Sequence, residues 1–179
     1  MEICFVPDND YRGFLTQSKL VGVDPGDIVD LQGEVLGRHD GVAFYTIGQR
    51  RGLGLSSPEP LYVLELDAKL NQVVVGPVDA LDKPSFIIDR CNWIPFEHLK
   101  EPIEVTAKIR YNHPGTLAVV TPLEGQRARV DLSVPQRAIT PGQACVLYQD
   151  DLVVGGGWIL KTCDPAPAAP VNVAQNASL

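Results

Sequence analysis

The segment IEVTAKIRY at 103–111 alternates apolar and polar residues, placing Ile103, Val105, Ala107 and Ile109 on one face and Glu104, Thr106, Lys108 and Arg110 on the other. A period of two describes a half-buried strand and leaves no continuous apolar stripe for a helix. The same signal recurs along most of the chain. IVDLQGEVLG at 28–37 reads as two short runs around a tight turn at Gln32-Gly33, and LYVLELDAKLNQVVVG at 61–76 as a hairpin turning through 68–71. LAVVTPL at 117–123, ARVDL at 128–132, ACVLY at 144–148 and LVVGGGWIL at 152–160 continue it, with Pro-Gly pairs at 25–26, 114–115 and 141–142 as punctuation. Such spacing predicts a small barrel or sandwich. Only DNDYRGFL at 8–15 looks helical, with Asp8 or Asn9 as cap. The expected fold class is all-β.

Charge divides the chain. Residues 1–80 hold 6 basic and 12 acidic side chains, residues 81–163 hold 9 of each, and the whole carries a net charge of −7. This asymmetry predicts two units, 1–82 and 83–163, joined at Asp82-Lys83-Pro84-Ser85, where Pro84 biases its predecessor away from helix. The stretch 164–179 is rich in Pro and Ala, lacks apolar periodicity and is expected to be a disordered tail. The acidic balance counts against a free-standing nucleic-acid binder. No run approaches the roughly 20 apolar residues of a membrane span, and no secretory signal is evident, so a cytoplasmic, membrane-free setting with reduced thiols is expected.

Three stretches hold residues capable of chemistry. Cys4, in EICFVPDNDY, is a thiol in an apolar setting beside a turn and a cluster of acids; Arg12 or the N-terminus of the short helix could stabilise its thiolate. An inert core thiol is the competing reading. Gly48, Gly52 and Gly54 surround Gln49, Arg50 and Arg51, a turn presenting two guanidinium groups and an amide suited to phosphate or base edges. No Gly-Lys-Ser/Thr follows, so it is not a P-loop, and a solvated turn is the alternative. Lys108, Arg110 and Tyr111, beside Asn112 and His113, combine cations with an aromatic ring, as single-strand RNA contacts do, although a strand-surface ion pair would use Arg110 equally well. His39 beside Asp40 is an oriented imidazole or a structural one. Cys91, Cys145 and Cys163 form no Cys-x-x-Cys pair, the histidines are not spaced like a zinc site, and no metal is expected.

Taken in order, EICFVPDNDYRGFL, PGDIVDLQGEVLGRHDGVAFYTIGQRRGLGL, AKIRYNHP, PQRAITPGQACVLY and GGGWI resemble the bacterial tRNA-specific 2-thiouridylases, the MnmA family, over about 160 of the 179 residues. The resemblance implies a small central β domain followed by a C-terminal β-barrel like that of translation factors. It implies sulfur transfer to C2 of the wobble uridine (position 34) in tRNAs for Lys, Glu and Gln. Cys4 falls on the family's persulfide-carrying cysteine, which attacks C2 after ATP has adenylated the uridine oxygen, while a second cysteine, its disulfide partner, helps release the sulfur. Arg110 and Tyr111 fall on an Arg-Tyr pair that touches tRNA, and Gln143 on the Gln of a Thr-Pro-Gly-Gln turn that does the same. Arg50 and Arg51 are further tRNA candidates. Cys91, Cys145 and Cys163 match no catalytic position and read as structural.

The family also carries an N-terminal ATP-pyrophosphatase domain with a Ser-Gly-Gly-x-Asp-Ser loop and the partner cysteine, and this sequence contains neither. The implied ATP, with magnesium, would bind that domain, and a separate persulfide protein would donate the sulfur. The expectation is a C-terminal fragment of the enzyme, inactive alone. A non-catalytic tRNA- or RNA-binding β-barrel is the alternative.

Overall fold

The computed structural model describes residues 23–164 together with Gly13. Cys4, Arg12, most of the helix expected at 8–15 and nearly all of the expected tail lie outside the described residues. The described elements are almost entirely strands, in two compact units. The first runs through Asp82 and takes in Arg137–Ile139; the second is Lys83–Gln136 with the chain from Thr140 onward. No helix among the described residues is long and apolar enough to cross a membrane.

The first unit is a four-stranded sheet of β1 (Gly26–Val29), β2 (Val35–His39), β3 (Tyr62–Asp67) and β4 (Gln72–Gly76), in the order β2-β1-β4-β3. Each expected hairpin forms for a local reason. In the first turn the Asp30 carboxylate accepts the Gln32 and Glu34 N–H groups at 2.9 and 2.8 Å. In the second, Asp67 accepts those of Lys69 and Leu70 at 2.8 and 2.9 Å. Asp and Asn supply such turn-closing bonds from short side chains. The hairpins join through a parallel pairing of β1 with β4, Ile28 opposite Val73. Ile28, Val63, Val73 and Val75 then pack with Val42, Tyr45 and Leu53 into one apolar cluster. Burial of that area is the main driving force for this unit.

The second unit is a closed six-stranded barrel of β5 (Asp82–Trp93), β6 (Ile103–Lys108), β7 (Thr116–Leu123), β8 (Arg127–Arg137), β9 (Ala144–Gln149) and β10 (Leu152–Cys163), ordered β10-β5-β8-β7-β6-β9. Closure removes the unpaired edges an open sheet would expose. The alternation read in 103–111 holds, with Val105, Ala107 and Ile109 buried. They meet Phe86, Ile88, Val120, Val130, Leu147 and Ile159 in the barrel interior.

The two units divide between Asp82 and Lys83. The segment Asp82-Lys83-Pro84-Ser85, expected as a joint, also forms the first third of β5, a twelve-residue strand that the alternation did not disclose. Its phase breaks at Arg90, which has φ 49°. Trp158 of β10 opposes Asp89 while Gly156 opposes Asn92, so β5 bulges at Arg90 and Cys91. Three cysteines, Cys91, Cys145 and Cys163, are free, and no disulfide occurs among the described residues.

Candidate nucleic-acid interface

The turn after β6 carries two of the residues singled out from the sequence. His113 N–H donates to the Arg110 carbonyl at 3.2 Å, and Gly115 N–H to His113 Nδ1 at 3.0 Å. Gly115 is required there: its φ is 103°, and a Cβ would stand 2.4 Å from Thr106 Cγ2. The tightened turn leaves Tyr111 99% exposed, an orientation that core packing does not explain.

Gln143 comes from the turn between β8 and β9. Gly142 N–H donates to the Ile159 carbonyl, and Ile159 N–H to the Gln143 carbonyl, both at 2.8 Å. This pair of bonds fastens the Pro141-Gly142 turn to β10 beside Trp158. Arg110, Tyr111 and Gln143, 33 positions apart at the extremes, thereby border one groove of about 580 Å³, with Lys108, Tyr148 and Trp158 completing its chemistry. Lys108 Nζ lies 5.2 Å from the centre of the Tyr148 ring, within cation–π range. No carboxylate lines this groove, although the chain as a whole is acidic. Cations, exposed rings and an amide lining one groove are suited to phosphate neutralisation, base stacking and base-edge hydrogen bonding.

Arg50 and Arg51 lie in the first unit, whereas the residues lining the groove all belong to the second. Both are exposed. Arg50 borders a separate cavity of about 390 Å³ that also contains Glu59. The amide expected to accompany them is spent within the turn: Gln49 Oε1 accepts Thr46 N–H at 3.1 Å, and Nε2 donates to the Arg51 carbonyl at 2.9 Å. Gln49 therefore holds the turn's shape and presents no free amide. His39 takes the structural role. Gly41 N–H donates to its Nδ1 at 3.0 Å, so Nε2 carries the proton and donates to the Asn71 carbonyl at 3.1 Å.

The described thiols are poor nucleophiles. Burial, reinforced by the Asp89 charge, pushes the Cys91 thiol up to about 11. Burial and then neighbouring Cys91 push Cys145 up to about 12. Cys163 is also raised, first by burial. Thiols held protonated near neutral pH fit a packing role. Among the described residues no cluster of His, Cys, Asp or Glu is arranged to hold a metal ion.

Sequence reasoning missed Tyr148, Trp158 and Arg90, whose guanidinium lies 5.5 Å from the Trp158 ring centre. Trp158 stood within the quoted GGGWI string but was assigned no role there; only closure of the barrel brings Tyr148 and Trp158 beside Arg110.

The chain matches two family models, described as tRNA methyl transferase PRC-barrel domain over residues 13–77 and Aminomethyltransferase beta-barrel domain over residues 83–159. It is 48% identical over 160 residues to tRNA-specific 2-thiouridylase MnmA 1 of Clostridium botulinum (strain Loch Maree), covering 89% of this chain and 45% of the relative. With tRNA-specific 2-thiouridylase MnmA of Magnetococcus marinus it shares 50% identity over 159 residues, 89% of this chain and 44% of that protein. The MnmA protein of Heliobacterium modesticaldum is 48% identical over 165 residues, 91% of this chain and 43% of its own length. The chain thus spans somewhat less than half the length of the curated relatives it matches. On two consecutive domain matches and relatives of this similarity, the chain belongs to the MnmA family of tRNA-specific 2-thiouridylases.

Proposed function

We propose that this chain forms the tRNA-gripping part of an ATP-dependent tRNA-uridine 2-sulfurtransferase. The barrel groove holds the nucleic acid through Arg110, Tyr111 and Gln143, and Cys4 carries the sulfur as a persulfide. The observation that carries this reading is the convergence of those three side chains, from two separate turns, on one carboxylate-free groove. The names of the relatives favour thiolation over the methyl transfer in the domain descriptions. The wobble uridine of tRNAs for Lys, Glu and Gln is the proposed substrate, and a persulfide-bearing protein the sulfur donor, in the cytoplasm.

A persulfide is a better anion than a thiol at neutral pH, and the bond it forms to C2 divides sulfur insertion into steps a plain thiol would not complete. The described cysteines do not compete for the role, since all three are shifted toward the neutral thiol. ATP is not assigned to the described residues. The glycine-bearing turn with Arg50 and Arg51 spends Gln49 on its own backbone and lacks the Gly-Lys-Ser/Thr continuation of a phosphate loop. ATP and its magnesium belong to the N-terminal ATP-pyrophosphatase domain of the family, so these 179 residues by themselves are expected to bind tRNA without thiolating it.

Filter binding with tRNA tests the grip. Arg110→Ala is expected to weaken binding by about 1 kcal/mol or more, the range of a charge-assisted hydrogen bond. Equal affinity for both proteins would remove Arg110 from the site. In a protein that also contains the ATP-pyrophosphatase domain, Cys4→Ser is expected to abolish thiolated tRNA while leaving binding intact. Thiolation that survives the change would leave only the binding-module reading.

A further inference from the structure

We infer that Trp158, braced by Arg90, is a stacking platform for one unpaired nucleobase of the bound RNA. The inference rests on the RNA-binding reading of the barrel groove and assigns a contact that neither the sequence motifs nor the comparisons supply.

Three observations on β5 and β10 converge. Trp158 lines the groove and is 45% exposed, so a large indole remains in water where burial would have been worth more. Arg90 lies over that ring at 5.5 Å from its centre. Its backbone holds φ 49°, a left-handed conformation costly for an arginine, at a bulge where two residues of β5 oppose one of β10. Bulges re-aim side chains, and here the re-aimed side chain is the one that backs the indole. Asp89 Oδ1, 3.4 Å from Arg90 Nε, fixes the guanidinium from the side.

The neighbours specify what such a ring would receive. Lys108 and Arg110 bring positive charge, Gln143 brings an amide, and no carboxylate lines the groove. An apolar peptide would gain nothing from the cations, and an acidic peptide would leave the indole without a flat partner. A single-stranded nucleotide uses both, placing its base on the ring and its phosphate near the cations. Backbone bonds tie the Gln143 turn to Ile159, which keeps the residue carrying the amide beside the strand that carries Trp158.

The test uses the full 179-residue chain with Trp93→Phe, which leaves Trp158 as its only tryptophan, and an RNA hairpin with a uridine-containing single-stranded loop. Adding the hairpin is expected to quench Trp158 emission. Trp158→Ala and Trp158→Leu are each expected to lower affinity at least about 5-fold, while Trp158→Phe retains most of it, since base–aromatic stacking requires a ring and not merely apolar bulk. Trp158→Leu keeps an apolar side chain without a ring, and thermal melts of each variant confirm that the barrel is intact. If the Leu variant binds as tightly as the parent while Arg110→Ala loses affinity, the platform is refuted and the RNA reading stands. If the parent chain does not bind the hairpin at all, both fall together.

Discussion

Gly156 on β10 passes so close to Cys145 on β9 that a Cβ there would stand 2.4 Å from the Cys145 carbonyl oxygen. The obstacle is backbone, which cannot rotate aside as a side chain can. Gly156→Ala is therefore expected to part the β9–β10 ladder and cost about 2–3 kcal/mol, as overpacking typically does. Urea unfolding of the purified chain measures it. An unchanged midpoint would mean that the two strands are further apart than the structure has them.

Ser85 is only 1% exposed, and its Oγ donates to Asp131 Oδ1 at 2.6 Å. The same carboxylate accepts Arg129 Nε at 2.8 Å, and Arg129 also reaches the Asp164 carbonyl. Ser85→Ala removes a hydrogen bond to a charged acceptor and is expected to destabilise the barrel by about 2 kcal/mol. Calorimetric melting is the measurement; a variant as stable as its parent would show that water replaces the hydroxyl without loss.

His39 is 2% exposed and satisfies two backbone groups, the Gly41 N–H and the Asn71 carbonyl. Phenylalanine fits the edge-on contact that the imidazole makes with Tyr45 at 5.8 Å but satisfies neither group. His39→Phe should cost about 3 kcal/mol, from two buried polar groups left unpaired. Loss of RNA binding at unchanged stability would instead give His39 a functional role.

The raised thiols carry a signed dependence on pH. A group whose folded pKa lies above its unfolded value contributes stability that is complete below the unfolded value and is lost as pH rises toward the folded one. For Cys145 that window runs from the ordinary thiol value of 9.0 up to about 12. Wild type should therefore lose stability relative to Cys145→Ala as pH rises above 9.0 toward about 12. Paired denaturation curves across that range check it, and parallel alkaline limbs would show that the thiol is not desolvated.

Much of the architecture was legible because the strands keep their phase. The 103–109 alternation survives into Val105, Ala107 and Ile109 pointing inward, and both hairpins of the first unit turn where Asp30 and Asp67 can close them. β5 escaped notice for a physical reason. The bulge at Arg90 shifts the period by one residue, and Lys83-Pro84 resembles a linker although an extended strand accommodates a proline. Around the groove, Arg110-Tyr111 were legible in the local sequence, and Gln143 only through the family resemblance. Tyr148, Trp158 and Arg90 were not, because their proximity depends on β10 lying between β5 and β9. Strand periodicity reports which face a side chain occupies, not which strands become neighbours.

The seam of the barrel joins its first strand to its last, with Ser85 opposite Cys163. During synthesis β5 emerges long before β10, so the nascent unit spends that interval as a curled ribbon with both margins unsealed. Strand edges left waiting in this way recruit other chains. Yield of soluble protein should thus depend on how quickly the ribosome delivers the last dozen residues of the barrel, and a translational pause placed just before Leu152 would do more harm than an equal pause before Ile103.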